Sequence, residues 1–168
     1  MKIRLAILVM AVAILGLFLL PKTTTVKNDV EAPTIQQPQL NTLIRGFLTS
    51  KESPLAPETD FLLQQKHWKL LIAVSAIESQ YCKRKIAFNC FGIGWDSAYR
   101  HYSSIRAAIQ DANDLIEHWQ TEHKRWLTVE DMNGSYVVPA NPNWVRVVNK
   151  VLAELETYER QSTGTIHQ

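Results

Sequence analysis

The sequence is poor in cysteine, in net charge of either sign and in β-type alternation, and each shortage excludes something. Only two cysteines, Cys82 and Cys90, occur in 168 residues. With no histidine near them at ligand spacing they fall short of a zinc set, so neither a metal nor another cofactor is expected. Of the 18 Lys/Arg and 16 Asp/Glu, four and two lie before residue 41, which leaves residues 41–160 with fourteen of each. A formally neutral domain lacks the basic stripe that nucleic acid demands. Lys83-Arg84-Lys85 is the local exception and reads as a solvated charge run, with contact to an anionic wall polymer as the other reading. No segment alternates with period two long enough for a sheet, so the fold class expected is all-α. His67, His101, His118, His123 and His167 are scattered, and none reads as catalytic.

One long apolar run is present. Leu5 to Leu20 carries no charge over sixteen residues and follows Lys2 and Arg4. It is shorter than the roughly 20 residues of a comfortable span, and Leu19-Leu20-Pro21-Lys22 offers no small-x-small cleavage site. The reading is a signal anchor over residues 1–20, single-pass in the cell membrane. The basic residues keep the N-terminus inside and send the rest to the extracytoplasmic side. Cleavage and secretion are the alternative. Residues 21–40, with Pro33, Pro38, threonines and glutamines, read as a flexible linker. Residues 41–160 form the domain, and 161–168 a disordered tail.

Inside the domain, Ser53-Pro54-Leu55-Ala56-Pro57-Glu58 forms a turn ahead of a short helix from Thr59, and Lys66 to Lys69 interrupt it. Leu70, Val74, Ile77 and Tyr81 recur at i, i+4, i+7 and i+11, one face of the next helix. Leu71, Val74 and Glu78 line its edge, so Glu78 borders the core near the helix C-terminus. Ile105, Ala108, Ile109, Ala112, Leu115, Ile116 and Trp119 mark another amphipathic helix, with Ser103 and Ser104 as candidate N-caps. Thr128 and Asp131 stand at capping-box spacing for a short helix that Gly134 ends. The last helix starts at Asn143 and buries Val145, Val148, Val151, Leu152 and Leu155.

A carboxylate among apolar neighbours is disfavoured in its charged form, which suits it to donate a proton. Glu78 is therefore the candidate general acid for glycosidic-bond cleavage, whose leaving oxygen must be protonated. The competing reading is a surface glutamate at a helix end. The loop Phe91-Gly92-Ile93-Gly94-Trp95 favours a site, because its glycines admit unusual backbone shapes and close approach of a ligand. Cys82 and Cys90, eight residues apart, bracket the stretch between Glu78 and this loop that holds Lys83-Arg84-Lys85; outside the cytoplasm they are expected to pair, the other reading being two buried thiols. Trp95, Tyr99, Tyr102, Tyr136 and Trp144 lie in or beside loops and suit the flat faces of sugars, although two or three of the five are expected to pack inside. Asn89 either binds an N-acetyl group or satisfies the backbone of its own turn.

Ala76-Ile77-Glu78-Ser79, Asn89-Cys90-Phe91-Gly92-Ile93, Tyr136 and Pro142-Asn143-Trp144 occur in an order that resembles the glucosaminidase family of bacterial peptidoglycan hydrolases, within the lysozyme-like superfamily. The resemblance covers roughly residues 41–160. It implies an endo-β-N-acetylglucosaminidase acting on peptidoglycan or a related N-acetylhexosamine glycan, with a lysozyme-like helical domain. It implies Glu78 and Tyr136 as catalytic residues, and Ser79, Asn89, Phe91, Trp95 and Trp144 at the substrate. Asp96, Glu117, Glu130 and Asp131 are the candidates for a second carboxylate, unless the substrate's own acetamido group serves as nucleophile. In that single-carboxylate scheme Tyr136 positions or polarises the acetamido group. Soluble lytic transglycosylases and goose-type lysozymes share a lone glutamate on a helix, so cleavage after N-acetylmuramic acid stays open. A non-catalytic wall-binding module is the reading from another class.

Overall fold

The computed structural model describes residues 37–95 and 98–163, with only the backbone of Trp95. Among these residues the chain is mostly helical. Helix α1 spans Gln37–Ser50, and a 3-10 turn at Ala56–Glu58 leads into α2, Thr59–Leu62. Helix α3 is Trp68–Ser79, α4 Ile105–Thr121, α5 Val129–Met132 and α6 Pro142–Ser162. Between α3 and α4 two-residue strands, β1 (Gly94–Trp95) and β2 (Ala98–Tyr99), pair antiparallel, with Gly94 opposite Tyr99.

Helix α3 packs against α6 and α4, and Leu71, Ile72, Ala73, Val74 and Ser75 are all buried. The single apolar face predicted for it is therefore too narrow. A helix enclosed on several sides buries consecutive residues, and Leu70 and Ile77 end up only partly covered. Polar contacts fix its N-terminal end. The Asn113 side chain accepts the His67 N–H at 3.2 Å, Lys66 and His67 both meet Glu117, and Lys69 reaches Glu159 at 2.7 Å.

Two predicted boundaries are corrected. Helix α1 begins at Gln37, inside the stretch read as linker. Leu40, Ile44, Phe47 and Leu48 fall at i, i+4, i+7 and i+8 and are buried, and Pro38 sits in the first turn, where its missing N–H costs nothing. At the other end α6 runs on to Ser162, which is buried and donates its hydroxyl to the Glu159 carbonyl, so residues 161 and 162 are helix and not tail. The anchor and most of the linker lie outside the described residues. Among those described, no helix is long and apolar enough to cross a membrane.

The remaining helices follow their sequence signals. Ser104 caps α4 by accepting the Ala107 N–H, and Thr128 and Asp131 form the reciprocal capping box of α5. Asn141 caps α6 through the N–H groups of Asn143 and Trp144. That cap places Trp144 at the start of α6, facing the end of α3.

Candidate active site

The site is built where α3 stops. Gln80, Tyr81 and Cys82 adopt φ of 53°, 58° and 69°, three successive left-handed residues that reverse the chain just past Glu78. Each is disfavoured for a residue with a Cβ, by roughly 1 kcal/mol or more, so the reversal needs external support. It receives it from the disulfide that joins Cys82 to Cys90, both fully buried. Further support comes from Tyr81 N–H on Ser75 O at 2.8 Å and Arg84 N–H on Ser79 O at 2.9 Å.

Ser79 belongs to this brace and not to a substrate surface. It is buried, donates to the Cys90 carbonyl at 2.6 Å and accepts the Cys82 N–H at 2.9 Å. Asn89 likewise resolves in favour of the turn. Its Nδ2 donates to Ile93 O and Arg100 O, and its Oδ1 accepts the N–H groups of Phe91 and Ile93. All four hydrogen-bonding positions of the amide are used, which leaves none for an N-acetyl group. Phe91 is fully buried, so its ring is core and not a sugar platform.

This turn delivers Gly92, at φ +69°, against the carboxyl group of Glu78. A Cβ on Gly92 would stand 2.9 Å from Glu78 Cδ and closer still to Oε2. Gly94 serves a different neighbour: its Cβ would collide with the Ala98 carbonyl across the hairpin. On the far side of Glu78, the Trp144 indole donates from Nε1 to Oε1 at 2.7 Å. Trp144 is 1% exposed, so it orients the acid and offers no face to a sugar. Burial raises the Glu78 pKa above the ordinary carboxylate range, and the Trp144 N–H opposes that rise in part. Because an indole nitrogen only donates, Oε1 is committed as an acceptor. The acidic proton is left to Oε2, on the Gly92 side.

Tyr136 lies in the same layer, its ring 5.4 Å from Trp126 and 5.8 Å from Trp144. Burial first, then the charge of Glu78, hold its hydroxyl well above the usual phenol range. The hydroxyl donates to the Phe91 carbonyl. Here the single phenolic proton goes to the turn that presents Gly92, in the position where donation to a substrate acetamido group is expected. Tyr102 is also structural, with its hydroxyl on Asp111 at 2.6 Å beside the Arg100–Asp111 pair.

Beside Glu78 opens a cleft of about 100 Å³ lined by Glu78, Arg84, Ile86, Asn89, Gly92 and Tyr99. It is a notch that admits part of one ring, small beside pockets of roughly 300–1,000 Å³ that enclose whole ligands. Two of its lining residues are exposed and largely apolar, Ile86 at 57% and Tyr99 at 54%, beside the polar groups of Glu78, Arg84 and Asn89. Of the five loop aromatics, Trp144 packs inside, Tyr102 and Tyr136 lie partly covered against the core, Tyr99 lines the cleft, and the Trp95 side chain lies outside the description.

Among the described residues lining this cleft, Glu78 is the one carboxylate. Glu117 is paired with Lys66 and His67, Glu130 accepts from Asn149, and Asp131 closes its capping box. Asp96 lies outside the described residues. No group of three or more side chains able to hold a metal ion occurs among the described residues. Arg84, Ile86 and Gly92's closeness to the acid were not singled out in the sequence; for Arg84 the charge run masked the signal. Comparison of the chain with family models, with curated proteins and with solved structures finds no match.

The bridge makes a direct prediction. Protein purified without reductant has both thiols closed to alkylation until it is reduced, as intact mass will report. Replacing Cys82 and Cys90 together by serine lowers the unfolding free energy by about 2–3 kcal/mol for so short a loop. Two freely alkylated thiols in native protein would remove the brace from the account.

Proposed function

We propose that the chain is a glycoside hydrolase that cleaves the glycan strand of bacterial peptidoglycan, of the endo-β-N-acetylglucosaminidase type, with a lysozyme-like helical domain and Glu78 as general acid. One observation carries the reading: a lone, partly buried carboxyl group whose Oε1 is held by Trp144 and whose Oε2 lies against Gly92, at an open cleft that Ile86 and Tyr99 also line. Burial keeps a population of the acid protonated above the ordinary carboxylate range, as protonation of a leaving alkoxide requires. Oε2 gives its proton to the glycosidic oxygen as the bond to the anomeric carbon breaks, and the carboxylate left behind keeps its bond from Trp144. A single acid suffices if the substrate's acetamido oxygen attacks the anomeric carbon and water later opens the resulting ring. Tyr99 and Ile86 supply the apolar wall for a sugar face.

The rest of the chain suits this work. A disulfide belongs in an oxidising compartment, which agrees with a domain carried to the extracytoplasmic side behind residues 1–20. Cleavage after N-acetylmuramic acid, by hydrolysis or by transglycosylation to an anhydro sugar, is the second reading, and the lone carboxylate favours it equally. A wall-binding module without activity has no use for a desolvated acid facing a cleft. Digestion of purified sacculi with mass analysis of the products separates these. New N-acetylglucosamine reducing ends are expected. N-acetylmuramic acid or anhydro ends give the second reading, and no new ends from any wall preparation would sink both.

A further inference from the structure

Arg84 lines the same cleft as Glu78. Its backbone N–H is fixed to Ser79 O at 2.9 Å, two residues past the bridged Cys82, so the base of its side chain is held beside the acid. Several cations of the domain are matched, Arg45 with Asp60, Lys66 with Glu117, Lys69 with Glu159, Arg100 with Asp111 and Arg106 with Glu58, and among the described residues Arg84 is the one cation that lines the cleft. The Arg84 guanidinium, by contrast, has no hydrogen bond or ion pair among the described residues. No ion pair joins it to Glu78 among the described residues, although both line the cleft. With Glu78 protonated the cleft carries one positive charge and no negative one. A guanidinium presents a planar fork of donors that matches a carboxylate in bidentate fashion.

We propose that Arg84 is a specificity-determining residue that binds a carboxylate of the glycan beside the bond to be cleaved. This rests on the glycan-cleaving reading and names the chemical form of its substrate: a strand whose sugars bear free carboxylates, on the lactyl ether or on an attached peptide, in preference to a neutral or amidated one. The arrangement is self-consistent in charge. An anion seated at Arg84 favours the protonated form of Glu78, so binding the preferred strand also readies the acid.

The test uses full-length Glu78→Gln protein in detergent, which holds glycans without cutting them, and isothermal titration. The probes are an alternating N-acetylglucosamine–N-acetylmuramic acid tetrasaccharide with free lactyl carboxylates, its lactyl amide, the same amide bearing a peptide with free carboxylates, and neutral chitotetraose. A carboxylate-bearing probe is expected to bind about tenfold tighter than the amide and chitotetraose, in line with a partly screened charge-assisted pair. Which of the two carboxylated probes shows the gain identifies the source. Adding Arg84→Gln should erase the preference without moving the melting temperature, because the guanidinium bonds nothing among the described residues; Arg84→Lys should keep part of it. Equal affinity for all probes, or a preference that survives Arg84→Gln, overturns the proposal. Wild-type protein incubated with the same probes reads the hydrolase separately. Cleavage without a preference rejects Arg84 alone, and an Arg84-dependent preference without cleavage rejects the hydrolase alone.

Discussion

Glu78→Gln lowers cleavage of purified sacculi by at least about 10²-fold, the lower end of what a general acid contributes, while the protein stays folded. The substitution keeps the shape and the oxygen that accepts from Trp144, and it removes the one proton that Oε2 can donate. It also has a consequence for stability whose sign is fixed. Because folding raises the Glu78 pKa, wild-type protein holds that proton more tightly folded than unfolded. The associated stabilisation is complete below the ordinary carboxylate pKa and is lost as pH rises through the raised one. Glutamine has no such loss, so at neutral pH the variant should melt no lower than wild type and above it if packing is unchanged. For the same reason wild-type kcat should fall with rising pH through the raised pKa. Retention of more than about a tenth of the activity, or a pH profile without an alkaline limb from that group, would take the acid role away from Glu78.

Gly92→Ala is expected to be the most damaging single-methyl change in the domain. It forces a Cβ into the left-handed region at φ +69° and drives it into the Glu78 carboxyl group. The two penalties together amount to roughly 1–3 kcal/mol. Activity should fall by about 10²-fold, the scale associated with displacing a reacting group by about 1 Å. A double-mutant cycle separates the causes. In a Glu78→Ala background the collision is gone, and the alanine at 92 should cost only what its backbone conformation demands. Equal destabilisation in both backgrounds would mean that Gly92 serves its turn and nothing else.

How much of this was legible depended on whether a signal was local. The helix from Ile105, the capping box of Thr128 and Asp131, and the final helix were readable, because period and caps lie within a few residues of one another. The first helix was missed: glutamines and prolines gave its stretch the composition of a linker, although Leu40, Ile44, Phe47 and Leu48 already stood at helical spacing. The narrow face drawn for α3 failed because a central helix is apolar on nearly every side. In the site, the position of Glu78 at the end of an apolar helix could be read directly. Its partner could not, since Trp144 is 66 residues away and comes into contact only through α3 packing on α6. Ser79, Asn89 and Phe91 drew attention by lying near the acid in sequence. Their polar atoms and the Phe91 ring go instead to the loop and core that hold the acid in place. Arg84 was hidden between two lysines, and its distinction from them is visible only in the cleft.

Three of the five tryptophans stand close to this acid or to one another: Trp119 stacks on Trp126 at 5.0 Å, and Tyr136 bridges Trp126 to Trp144, whose indole N–H rests on Glu78. Such a chain of coupled chromophores makes the domain its own optical sensor. The loss or gain of one proton at Glu78 changes the charge beside the Trp144 N–H, so a shift of the protein's own tryptophan emission is the expected report of that titration, with no dye or label attached.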